Sequence, residues 1–232
     1  MIFLLSAGSV WAGPTREATI PNAEVTPQGF YRVEVETIRP MQKEGYEKPA
    51  TDRSNFGVTY GTRTFGLIGI ELGLDWQAPT EASLPEALML NAKVSTTTLE
   101  EKGWGGAFGV HSLGFKTDTN DYNILYGVFE NKFWDALYIA LGGYAGNDEL
   151  LVDNEGGESN RGAMFGLWYK IQTDGRGRMG LEWLSGRSFY GTTQISLSAE
   201  MDKGLYGYIS IMAPNNREIA GYSALFRISV DL

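Results

Sequence analysis

Large apolar residues alternate with small or polar ones along most of the chain, most clearly over residues 67–77. There Ile68, Ile70, Leu72, Leu74 and Trp76 interleave with Gly69, Glu71, Gly73 and Asp75. A strand sends successive side chains to opposite faces. The stretch therefore predicts a strand with one apolar face and one face of carboxylates and glycines. About ten residues is the length a tilted strand needs to cross a bilayer core.

Strands are predicted in the same way near residues 29–38, 55–62, 87–95, 104–115, 122–130, 135–145, 162–173, 178–186, 192–201, 205–212 and 218–232, with ambiguous facing over the Gly-rich 104–115 and weak facing over 135–145. That makes about twelve (range ten to twelve), and an even number is usual in single-chain bacterial membrane barrels. Connections near Arg63, Asn131, Asp174 and Lys203 are short, whereas residues 39–54 and 146–161 are long and polar. Short turns at one rim and long loops at the other suit a barrel with both termini at the short-turn rim. Residues 96–103 are long for such a turn. The predicted fold is all-β: a closed, antiparallel, up-and-down transmembrane barrel over residues 29–232.

Residues 1–12 read as a secretory signal, with an apolar core at Ile2–Leu5 and Val10-Trp11-Ala12 before a cleavage point at Gly13. The core is short and no Lys or Arg precedes it, as a start codon placed too late would produce. Residues 13–28, with Pro14, Pro21 and Pro27, read as an extended periplasmic leader.

Alternation alone does not say whether the apolar face meets lipid or a core, because a soluble barrel or sandwich has the same period. Glycines crowd the polar faces (Gly57, Gly61, Gly73, Gly166 and Gly180 among them), where a concave wall gains room from them. Trp76, Trp104, Trp134, Tyr144, Trp183 and Tyr222 fall near strand ends, as in the aromatic girdles of membrane barrels. The last strand places Tyr222, Phe226, Ile228, Val230 and Leu232 at every second position up to the final residue. It resembles the C-terminal strand of bacterial outer-membrane proteins, differing in its terminal Leu where Phe or Trp is usual. The resemblance implies an outer membrane of a Gram-negative bacterium, contact with its lipid and lipopolysaccharide, and recognition of this strand by the outer-membrane assembly machinery. A monomer is expected.

Composition narrows the chemistry. The 232 residues include 30 Gly and 12% aromatics, which suits a β-rich chain. No cysteine is present, so there is no disulfide framework or thiolate chemistry. A net charge of -9 speaks against nucleic acid, which demands clustered Lys and Arg. No cofactor or metal is expected. The acidic residues Asp148, Glu149, Asp153, Glu155 and Glu158 could hold Ca²⁺, but the spacing is not that of a helix-flanked calcium loop. A solvated loop is the simpler reading.

The single histidine precedes Ser112 directly, so a regular strand would point the two to opposite faces, unlike a His–Ser pair set for nucleophilic attack. A lipid-modifying enzyme is the weaker alternative. Facing the lumen should be Arg32, Glu34, Glu36, Glu71, Asp75, Lys93, Lys170, Glu182, Glu200 and Arg227. Carboxylates outnumber cations in this set, and acidic rings favour cation passage. The expected function is a narrow passive channel for small hydrophilic solutes. The alternatives are a plugged structural or surface-interaction barrel acting through its loops, and a soluble ligand-binding barrel.

Overall fold

A computed structural model describes residue 16 and residues 19–41, 53–62, 64–78, 87–116, 120–171 and 176–232. The predicted signal and the Asp174–Gly175 turn lie outside the described residues. Twelve strands run in order: β1 (Tyr31–Pro40), β2 (Arg53–Gly61), β3 (Ile68–Ala78), β4 (Leu88–Thr96), β5 (Trp104–Gly114), β6 (Ile124–Phe133), β7 (Leu137–Ala145), β8 (Arg161–Lys170), β9 (Gly177–Leu184), β10 (Thr192–Asp202), β11 (Leu205–Pro214) and β12 (Ser223–Asp231). Each pairs antiparallel with its sequence neighbours, and β1 closes on β12. The seam joins Glu36 to Arg227 and Val33 to Val230 in register, and beyond it Tyr31 and Leu232 exchange backbone hydrogen bonds of 3.0 and 2.8 Å. Closure removes the unpaired edges that an open sheet would carry into a bilayer.

β3 shows what the alternation encodes. Glu71 is 1% exposed and Leu72 50%. The outer wall is a belt of such side chains: Phe56, Leu74, Leu90, Val94, Leu141, Ile195, Ile211 and Phe226 are all exposed. A contiguous apolar belt of this extent is unsuited to water and suited to acyl chains. Cross-strand aromatic pairs stiffen it, with ring centroids of Tyr31 and Tyr60 4.7 Å apart and of Phe56 and Trp76 6.0 Å apart.

The rim where β1 begins and β12 ends, the terminal rim, has the short turns. Trp134 and Asp135 take positive φ (51° and 57°) in the β6–β7 turn, the geometry that matches strand twist in a tight hairpin. The over-long connection at this rim holds a one-turn helix, α1 (Leu99–Lys102), which ends at Gly103 with φ 75°. Its Leu99 turns inward and is buried.

Two features depart from the sequence expectation. The expectation that glycines mark the inner faces fails on β6: Gly127 lies outside with Leu125 and Phe129, while Tyr122, Ile124, Tyr126 and Val128 are buried inside. Both faces of β6 are apolar because the inner one belongs to a core. The second departure is the filling of that core. Arg16 and residues 19–26, part of the stretch 13–28 expected as a periplasmic leader, lie within the barrel, where Ile20 and Ala23 join Tyr126, Val128, Tyr138, Ala140, Met164 and Trp168 in one buried cluster. The inner wall of β5–β8 is apolar because this segment covers it.

Candidate functional site: a bore occupied by the N-terminal segment

The seat of the segment is built from inward carboxylates. Strand parity directs Glu71, Glu130 and Glu182 to the axis from β3, β6 and β9. Glu182 accepts from the Thr19 and Ile20 amides at 2.8 and 2.9 Å, Glu130 from the Ala23 amide at 3.0 Å, and Glu71 from the Thr26 amide and hydroxyl at 2.7 and 2.9 Å. A buried segment without its own secondary structure must place its amides somewhere. Here they go to charged acceptors, each such bond contributing about 1.5–3 kcal/mol. Carbonyls are met as well: Lys93 donates to Glu24 O at 2.5 Å and Ser95 to Ala23 O at 2.6 Å.

Side chains complete the fit. The Arg16 guanidinium lies 2.9 Å from Glu36 and 3.3 Å from Glu34, with Arg227 3.7–3.8 Å from the same two carboxylates. Lys93 lies 3.5 Å from Glu71. Gly105 and Gly69 let the segment approach the wall: a Cβ on Gly105 would sit 2.7 Å from Ala23 Cβ, and one on Gly69 2.6 Å from Val25 Cγ2. The Trp168 indole lies over Gly166 and Gly180 and donates to Glu182 at 3.1 Å, fixing the carboxylate that holds Ile20.

At the loop rim, Tyr190 and Phe189 of the β9–β10 connection turn inward, packing against Tyr144 and Tyr122, and Leu151 joins them. Burial holds the Tyr190 phenol above its ordinary range. His111 meets this roof: one ring nitrogen is 3.0 Å from Tyr190 Oη and the other 3.0 Å from Ser112 Oγ. The expectation that His111 and Ser112 point to opposite faces is corrected. Ser112 has φ 56° and the β4–β5 register shifts beside it, a bulge that turns both side chains inward. Ser112 also donates its amide to Asn91, which donates to Asp75 at 2.7 Å. Among the described residues, the pair belongs to a buried hydrogen-bond chain.

Of the predicted lumen residues, Glu34, Glu36, Glu71, Asp75, Lys93, Glu182 and Arg227 are buried inside. Arg32 pairs with Asp231 at 2.6 Å near the terminal rim, Glu200 lines a cavity there, and Lys170 lies 5.0 Å from the Tyr138 ring centroid. Glu130 was missed, although it shares the parity of Tyr126 and Val128 and so marked that face as inward. Trp76, Trp104, Trp134 and Trp183 are exposed near strand ends. Tyr222 is half-buried beneath Arg217. Tyr144 is corrected: it is 5% exposed, points inward and donates to Ser185 O. Phe226, Ile228 and Leu232 face out, and Val230 on the same face is half-buried. No group of three or more His, Cys, Asp or Glu suited to a metal occurs among the described residues.

No protein-family model matches the chain, and no curated protein matches it. Solved structures do. An outer-membrane channel from Pseudomonas putida F1 superposes with a TM-score of 0.58 at 12% identity, covering 93% of this chain and 100% of the other. The KdgM porin superposes at 0.52 and 13% identity, over 86% and 97%. Its complex with disordered oligogalacturonate gives 0.52 and 12% over the same shares. The chain has the fold of porin-like outer-membrane β-barrels, and at these identities the likeness is one of fold.

Proposed function

We propose that this protein is an outer-membrane channel of a Gram-negative bacterium that its own N-terminal segment holds closed. The reading is carried by the hydrogen bonds of Glu71, Glu130 and Glu182 to the backbone of residues 19–26. A permanently dry core needs no such charges, and burying them is expensive. With the segment withdrawn, the same carboxylates would line a wet bore. The solutes would be small and hydrophilic. Glu34, Glu36, Glu71, Asp75, Glu182 and Glu200 against Arg32, Lys93, Lys170 and Arg227 give a weak preference for cations.

The test is conductance in planar bilayers. The full chain should conduct little. A variant lacking residues 14–28 should open a steady pore with a cationic reversal potential. A deletion variant that folds but stays silent would favour the second reading, a filled structural or surface-interaction barrel, which the aromatic roof of Tyr122, Phe189 and Tyr190 favours. The reading is non-enzymatic, with His111 and Ser112 enclosed. In the same picture the barrel is a monomer whose belt meets lipid and, on the outer leaflet, lipopolysaccharide. The assembly machinery would read Tyr222, Phe226, Ile228, Val230 and Leu232.

A further inference from the structure

Between the N-terminal segment and the wall formed by β1 and β9–β12, a cavity of about 260 Å³ remains. It lies toward the terminal rim: Arg32, Arg178 and Tyr206 are each the second residue of their strand there. Its charge is opposite to that of the carboxylate seat. Five arginines line it (16, 32, 176, 178 and 227) against three glutamates (24, 34 and 200). Asn22, Ser198, Ser229, Tyr206 and Tyr208 add neutral hydrogen-bonding groups.

Arg32 and Arg227 are held in place. Arg32 is fixed by Asp231 through two bonds of 2.6 and 2.9 Å and lies over the Tyr206 ring, and Arg227 stacks 4.4 Å from the Tyr208 centroid. Arg178 is part-exposed and lies 5.3 Å from the Tyr138 centroid, and Glu24, a carboxylate lining the cavity, stands 3.7 Å from it. Glu24 belongs to the segment that fills the bore.

We propose that this cavity binds a small hydroxylated carboxylate, whose anionic head takes the place of Glu24 at Arg178 while its hydroxyls meet Asn22, Ser198 and Ser229. The inference rests on the seat of the segment in the bore, and so deepens the closed-channel reading. The exchange removes one tie between the segment and this part of the wall, leaving those of Arg16 to Glu34 and Glu36 and of Glu182 to the Thr19 and Ile20 amides. Ligand entering from the terminal rim would therefore loosen the segment.

Calorimetric titration of the full chain in detergent tests this with gluconate and with sorbitol, of the same chain length but without the carboxylate. Gluconate should bind saturably and sorbitol should not. Glu24→Gln removes the internal competitor of a partly exposed pair and should tighten gluconate by up to about fivefold. Arg178→Gln removes a charge-assisted contact and should weaken it by about 10–100-fold. Equal binding of gluconate and sorbitol, or gluconate binding that neither substitution changes, would overturn the proposal. So would absence of gluconate binding to both the natural chain and Glu24→Gln, a variant that keeps every wall residue. These readouts need no conductance, so their failure is distinct from a silent deletion variant.

Discussion

The Glu182 carboxylate accepts the Ile20 amide proton at 2.9 Å across 162 residues of sequence. The same oxygen takes the Thr19 amide and the Gln194 side chain, while the other takes the Trp168 indole N–H. One inward residue thus anchors the segment to three strands of the wall.

Glu182→Ala should unseat that end of the segment. An amide left buried without an acceptor costs about 1–3 kcal/mol, and the buried Ile20 amide and the part-buried Thr19 amide both lose theirs here. Hydrogen exchange at Thr19 and Ile20 should speed up by at least about tenfold, with the β9 amides still protected.

Gly105→Val should expel Ala23, because the added atoms occupy the place of its Cβ. The expected result is raised conductance in a barrel that still folds. Gly127→Val is the control: Gly127 lies on the outer face of β6, where a Cβ meets Phe108 at an ordinary 3.8 Å, so conductance should not change.

Leu72→Arg tests the facing of the whole barrel. A charge on the lipid face near mid-bilayer costs roughly 2–4 kcal/mol, and reversible folding into lipid vesicles should record a loss of that order. An unchanged folding free energy would place this face in water.

His111→Ala should leave lipid hydrolysis at background while lowering the melting temperature. It removes the His111 hydrogen bonds to Tyr190 Oη and Ser112 Oγ, a loss of about 1–3 kcal/mol.

Glu100 of α1 gives a pH test outside the membrane span. Burial opposes its ionisation, but hydrogen bonds from Lys132 and Tyr138 and the charge of Lys170 outweigh it and hold the carboxyl below its ordinary value. A depressed folded-state pKa contributes stability above the unfolded value and loses it as pH falls through the folded one. Amides of α1 should therefore stay protected at neutral pH and open on acidification through and below the ordinary carboxylate range. Glu100→Gln should remove that dependence.

The wall was legible because its two faces meet different media. In β3 and β4 the inner residues Glu71, Asp75, Asn91 and Lys93 contrast with Leu72, Leu74, Leu90 and Val94 outside, and period two marks the contrast. In β6 the contrast fails: Tyr126 and Val128 are as apolar as Leu125 and Phe129, so periodicity alone cannot orient the strand. Residues 19–28 have no period of their own, since the amides of Thr19, Ile20, Ala23 and Thr26 go to side chains distant in sequence. Ser112 is a different loss: one left-handed residue inverts the parity that the rest of β5 obeys.

Gly29 donates to Gly61 O at 2.8 Å and Gly61 donates to Phe30 O at 3.1 Å as the segment leaves the bore and runs on into β1. The stopper and the first stave are thus a single stretch of polypeptide. Its main anchors, on β3, β6 and β9, all precede the seam, so a barrel built stave by stave can grow around a filling that is already attached. Sealing by β12 then encloses it, and no later threading step is required.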